Sequence, residues 1–151
     1  YGSTAEESAL NRQQMVKVGD DLGFDFQFTE DTRMHNTFNT HQLLHWANTQ
    51  ERMHDLKQAL FTAHFTNGRD LSDAKVLADI AGEIGLDRAE ALAVLEDQRY
   101  ADQIRQEENF WIKQGIRGVP AVVFERQHLV TGAQGVDNFT NILKQLTEET
   151  V

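Results

Sequence analysis

Near the end of the chain, Ile116-Arg117-Gly118-Val119-Pro120-Ala121-Val122-Val123-Phe124 turns β-branched and closes on four consecutive apolar residues. A run of that kind suits a strand buried on both faces, which needs a neighbouring strand and cover above and below. Glu125-Arg126-Gln127 reads as a turn and His128-Leu129-Val130-Thr131 as a second strand, broken by Gly132-Ala133-Gln134-Gly135. A last helix starts at Asp137 or the residue before it and runs through Phe139, Ile142, Leu143 and Leu146. A lone hairpin with so apolar a first strand is not stable in water. The only other strand candidate is Phe24-Asp25-Phe26-Gln27-Phe28, whose strict alternation puts three aromatics on one side. It reads as a short strand or extended segment at an edge. The chain therefore expects sheet partners that it does not contain. An unpaired Ala121–Phe124 edge predicts self-association, with the hairpin pairing against its copy in another chain.

Everything ahead of that stretch is helical in pattern. Ser3-x-x-Glu6 and Thr4-x-x-Glu7 are overlapping capping boxes that open a helix to about Val18, ended by Gly19 and Gly23. Asn36 or Thr37 caps a second helix carrying Phe38, His41, Leu44, His45 and Ala47. Glu51 to Asn67 holds Met53, Leu56, Leu60, Phe61 and Phe65 at helical spacing, with Gly68 after it. Asp70-Leu71-Ser72-Asp73 is a capped turn before a helix from Asp73 to Ile84, which Gly85 stops. Arg88 to about Glu96 follows with Ala89, Leu92 and Leu95 inward, then one long helix from Asp97 to Gln114. The class is α+β and mostly α: a helical region, 1–114, followed by a ββα region, 115–151.

Composition narrows the function classes. Lys and Arg number 14 against 24 Asp and Glu, a net charge of −10, which argues against nucleic acid or an anionic membrane as partner. No stretch approaches the eighteen or so apolar residues of a spanning helix. Tyr1-Gly2-Ser3-Thr4 shows no basic-then-apolar signal, so no secretory peptide is expected in these residues. With no cysteine, the 151 residues hold no disulfide, thiolate metal site or cysteine nucleophile. Pro120 is the only proline.

Few side chains form a motif. His41 and His45 stand one turn apart, a spacing that can bind zinc or copper, yet no third ligand is indicated and no metal is expected. His54 and His64 belong to no motif. Asp20-Asp21 and Glu107-Glu108 are simplest as solvated faces, and Trp46, Phe61, Phe65, Phe110 and Trp111 as helical core. There is no glycine-rich phosphate loop and no Gly-x-Ser-x-Gly elbow.

Gly115 to Phe124, with Leu129-Val130-Thr131-Gly132-Ala133-Gln134, resembles the second half of a DsbA-family thioredoxin-like domain. Asn36-Thr37-Phe38-Asn39-Thr40-His41-Gln42-Leu43-Leu44-His45-Trp46-Ala47 resembles the FrnE-like branch of that family. The branch is related to 2-hydroxychromene-2-carboxylate isomerases and kappa-class glutathione transferases. The resemblance spans nearly the whole chain. It implies a helical insertion domain followed by the C-terminal ββα of a thioredoxin-like fold. The N-terminal βαβ unit and its Cys-x-x-Cys are expected to lie outside these residues.

By the same resemblance, Pro120 is the family's cis-proline and Val119 the backbone that meets an extended peptide or glutathione. Asn36 matches an asparagine near the ligand in the glutathione- and chromene-handling relatives, and serves equally as a plain helix cap. Gly132, Ala133 and Gln134 match a turn near the active-site mouth, and serve equally as a strand terminator. The implied function is thiol–disulfide exchange, with no catalytic residue in this chain, no cofactor, and a protein or small-molecule thiol or disulfide as substrate. The alternatives are an isomerase or transferase using glutathione, and a non-catalytic thioredoxin-like binding module. FrnE-like relatives imply a cytoplasmic setting.

Overall fold

The computed structural model describes residues 5–29 and 32–148; Ser3 and Thr4, offered above as capping residues, lie outside them. The elements are α1 (Ala5–Leu22), α2 (Phe38–Asn48), α3 (Met53–Phe61) with a π-helical turn (Thr62–Thr66), α4 (Ala74–Glu83), α5 (Arg88–Glu96), α6 (Ala101–Lys113), β1 (Ala121–Phe124), β2 (His128–Thr131) and α7 (Val136–Glu148). The chain divides into two compact units, Tyr1–Ile104 and Arg105–Val151.

In the first unit the core lies among α2, α3, α4 and α5, and Leu43, Leu56, Leu77 and Val94 have no exposed surface. Asp87 starts α5 by accepting from the N–H groups of Ala89 and Glu90, and Asp73 starts α4 by accepting from Lys75. Between α3 and α4, Leu71 is buried although its neighbours form a polar turn. Asp70 organises that turn, taking the Ser72 N–H at 2.8 Å and its hydroxyl at 2.6 Å.

α1 continues past its expected end at Val18. Gly19 sits inside the helix, because any Cβ there would fall on the Phe26 ring and 2.5 Å from the Phe24 carbonyl oxygen. The helix stops at Gly23 (φ 75°), where Gly23 N–H donates to Asp20 and Phe24 N–H to Gly19, a Schellman closure. Phe24–Phe28 is extended but pairs as no strand. Its one ladder-like bond runs from Gln27 N–H to the Phe65 carbonyl at 2.8 Å, while Phe24, Phe26 and Phe28 gather round the Phe65 ring.

Other expectations are corrected by phase rather than by period. The buried face of α2 is Thr40, Gln42, Leu43, Trp46 and Ala47, so His41 points to solvent. On α5, Ala91, Val94 and Leu95 face inward and Ala89 is exposed. The long helix expected from Asp97 begins only at Ala101. Gln98 adopts φ 54° and places its amide between the Leu95 carbonyl, Asn39 and buried Gln42.

The second unit is thinner. β1 and β2 form an antiparallel pair, Ala121 opposite Thr131 and Phe124 opposite His128, and α7 lays Phe139 6.2 Å from the Phe124 ring. The expectation that β1 is buried on both faces fails, since Ala121–Phe124 are all half-buried. Phe110 and Trp111, expected in a core, are 53% and 44% exposed. One helix against two four-residue strands cannot enclose side chains of that size.

Two outcomes test this description. Gly19→Ala gains helix propensity of about 1 kcal/mol at an exposed position; here it should instead lower stability by about 1–3 kcal/mol in urea unfolding, from the clash with Phe26. Asp70 is held below its ordinary value of 3.8, first by the Ser72 hydroxyl, then by the Ser72 N–H, with His35 and His64 adding to it. A depressed carboxyl contributes stability that is complete above its unfolded value and is lost as pH falls through the lower native one. Asp70→Asn should therefore flatten the fall in Tm below pH 3.8 and be read by calorimetry across that range.

Candidate functional site

In the unit Arg105–Val151 the features singled out in the sequence collect at one end of the hairpin. The Val119–Pro120 peptide bond is cis, and Val119, two residues before β1, is 90% exposed. The Pro120 carbonyl accepts from Gly132 N–H at 2.9 Å, closing the strand pair beyond its last register position. Gly132 takes φ 83°, a left-handed value that lets the chain leave β2 sharply. Gln134 then turns back: its Nε2 donates to the Thr131 carbonyl at 3.0 Å, and its Oε1 accepts from Asn138 on α7 at 3.2 Å. Pro120, Gly132 and Gln134 are thus joined by one short network, with Ala133 exposed beside it.

The Pro120 bond also sets which backbone groups face which way. Alternation along an antiparallel ladder directs Val122 and Phe124 toward β2, and Ala121 and Val123 toward the other edge. Among the described residues no strand pairs with that edge. On the face beside α6 there is an open groove of about 500 Å³ lined by Phe110, Trp111, Val123 and Leu129.

Asn36 belongs to the unit Tyr1–Ile104. Its Oδ1 accepts from Phe38 N–H at 2.9 Å at the start of α2, while Thr37, the formal cap, makes no side-chain bond to the helix. The cap that the sequence offered is therefore present, and the carboxamide stays exposed. His45 packs on Tyr100, with ring centres 4.7 Å apart. Among the described residues no three His, Cys, Asp or Glu side chains converge as a metal centre.

One cluster carries no sequence motif. His35 Nδ1 lies 2.8 Å from Asp70 Oδ1, and the His35 and His64 ring centres are 5.5 Å apart. The three residues come from the segment before α2, the π-helical turn and the turn before α4. Nothing in their spacing could announce the meeting.

Residues 4–144 match the family model of the DSBA-like thioredoxin domain. The probable DsbA oxidoreductase SCO1869 from Streptomyces coelicolor is similar at 32% identity and a TM-score of 0.89, over 99% of this chain and 64% of that one. A Nitrosomonas europaea protein provisionally named a protein disulfide isomerase shares the fold, with a TM-score of 0.69 at 17% identity, over 97% of this chain and 76% of that protein. The uncharacterised protein YwbO of Bacillus subtilis (strain 168) is 29% identical over 96 residues, 63% of this chain and 48% of YwbO. The chain thus spans less than two thirds of SCO1869 and about half of YwbO. A helical region leading into a hairpin and a final helix, matched by the family model over nearly its full length, makes this chain a member of the DSBA-like thioredoxin domain family.

Proposed function

We propose that this chain forms the substrate-facing part of a thiol–disulfide oxidoreductase of the FrnE-like type, whose reacting dithiol lies outside these 151 residues. The observation that carries this reading is the exposed Val119 beside the Pro120–Gly132 closure, in a member of a DsbA-like family. In thiol–disulfide exchange a thiolate attacks a substrate sulfur through a mixed disulfide, so the substrate must be held in line with it. An extended peptide is held by main-chain hydrogen bonds to an open backbone segment, with side-chain pockets secondary. Val119 and Pro120 supply that backbone, and Gly132, Ala133 and Gln134 border it. Asn36 is the candidate contact for a small thiol such as glutathione. No cofactor is required.

The acidic balance, 24 Asp and Glu against 14 Lys and Arg, supports a partner other than nucleic acid. Among the described residues no helix is long and apolar enough to cross a membrane. The FrnE-like resemblance supports a cytoplasmic setting. The β1 edge supports self-association.

A peptide titration followed by backbone NMR tests the reading, with an extended disulfide-capped peptide and glutathione in separate arms. The peptide should shift Val119 and Gly132, and Val119→Pro, which removes the N–H, should weaken it about three- to tenfold while Val119→Ala does not. Glutathione shifting Asn36, with no response to peptide, would transfer the assignment to the isomerase or transferase class. Silence of the hairpin in both arms would overturn the site. The chain by itself should not reduce insulin, and measurable turnover would refute the placement of the dithiol.

Sedimentation at rising concentration should show a dimer. A monomer throughout would remove the edge-pairing proposal.

A further inference from the structure

Asn67 and Gly68 follow the π-helical turn after α3 and line a cleft of about 320 Å³ together with His35, His64 and Asp70. We propose that Asn67 is a site of spontaneous deamidation, in which water replaces the side-chain ammonia and leaves an aspartate or isoaspartate on that wall of the cleft. The reacting groups are neighbours in the chain. The Gly68 backbone nitrogen gives up its proton to solvent and attacks Asn67 Cγ. The Cγ–Nδ2 bond breaks, the nitrogen takes a proton and leaves as ammonia, and a cyclic imide remains. Water then opens the imide at one carbonyl or the other. One route restores the main chain with an aspartate, the other carries it through the side-chain carbon as isoaspartate, and each leaves one free carboxylate.

Sequence and structure both single out this peptide bond. Asn67 alone among the asparagines precedes glycine; the others precede Arg, Thr, Phe or Ile, whose side chains crowd the attacking nitrogen. The fold itself demands the glycine, because position 68 stands at φ 64°, a left-handed value that other residues adopt at a cost. Nothing lies within 4 Å of where a Cβ would sit on Gly68, so that side of the nitrogen is open. The turn is closed by the N–H groups of Asn67 and Arg69, which donate to the Thr62 and Ala63 carbonyls at 3.0 and 2.8 Å and pass over the Gly68 N–H. Asn67 and Gly68 are exposed, and the Asn67 carboxamide has no hydrogen-bond partner among the described residues.

Folding sets the pace. Asn67 lies at φ −99° and ψ −4°, and its Cγ reaches the Gly68 nitrogen only after rotation about ψ, against the two closing hydrogen bonds. The reaction therefore runs through fraying at the end of the turn, a local opening that leaves α3 in place. Its product adds negative charge to a wall that already holds Asp70. Isoaspartate also lengthens the main chain inside the Ala63–Arg69 closure. Both changes work against the turn.

The test is to age the full 151-residue chain near neutral pH and follow its tryptic peptide from Gln58 to Arg69 by mass spectrometry. The mass gain of amide-to-acid conversion is expected at Asn67 ahead of every other asparagine, with isoaspartate among the products. It should quicken as pH rises, since the attacking nitrogen must lose its proton, and run more slowly than in the chain unfolded in urea. The aged chain should melt below the fresh one. Asn67→Gln, whose longer side chain closes the ring poorly, should remove both the early conversion and the drift in Tm. Conversion in urea with none in the folded chain over the same period, or another asparagine converting first, would overturn the proposal. The order of conversion in the unaltered chain decides the matter even if the variant fails to fold.

Discussion

The seating of α4 on α5 is the contact on which the unit Tyr1–Ile104 is built. Leu77, Ala78, Ile80 and Ala81 on one helix meet Ala91, Val94 and Leu95 on the other, all buried. Alanines at three of these places let the backbones approach closely, and Leu77, Ile80 and Val94 fill the space between them. The link is short because Gly85, at φ 85°, reverses the chain while donating to Gly82. α2 packs against both α4 and α5, and α3 against α2 and α4, so those helices inherit their positions from the pair. The π-helical turn after α3 then sets where Phe65 and His64 point. Phe65 gathers the three phenylalanines that follow α1, and His64 meets His35.

The unit Arg105–Val151 works under the opposite constraint. It contains backbone order without enclosure: a two-stranded pair, a helix on one face, and no described residue that is fully buried. The apolar run that promises a strand inside a larger sheet is real in its conformation and incomplete in its surroundings. That combination places unpaired backbone and apolar side chains of β1 beside the Pro120–Gly132 closure. This is the surface that the proposed function assigns to an extended segment of polypeptide, bound through its main chain.

Period was legible in the sequence, and phase often was not. The 3-and-4 spacing located the helices to within a few residues. It did not choose which stripe faced inward, because α2 and α5 each carry apolar or small residues on more than one face. α2 therefore buries Gln42 and exposes His41, and α5 buries Ala91 and exposes Ala89. Gln98 shows a second limit: a glutamine in left-handed backbone, held by Asn39, Gln42 and Leu95, has no local signature. The hairpin network was the more readable site. Pro120 and Gly132 flank two strands of equal length, so strand pairing alone brings them together. His35, His64 and Asp70 were invisible, being drawn from three segments with no shared spacing.

Local chemistry in the chain itself determined the element order, the turn and cap residues Asp73, Asp87, Gly23 and Gly68, the excess of acid, and the lack of any thiol among the 151 residues. These depend on side-chain shape and on neighbours a few positions away. Tertiary structure alone decided that α1 runs through Gly19 to receive a phenylalanine ring, that Phe110 and Trp111 stay largely exposed, and that the rings of the distant His35 and His64 meet while Asp70 bonds His35. Such outcomes depend on how much area each element finds to bury and on which segments are brought within a few ångströms. Neither quantity is written in the order of residues along one element.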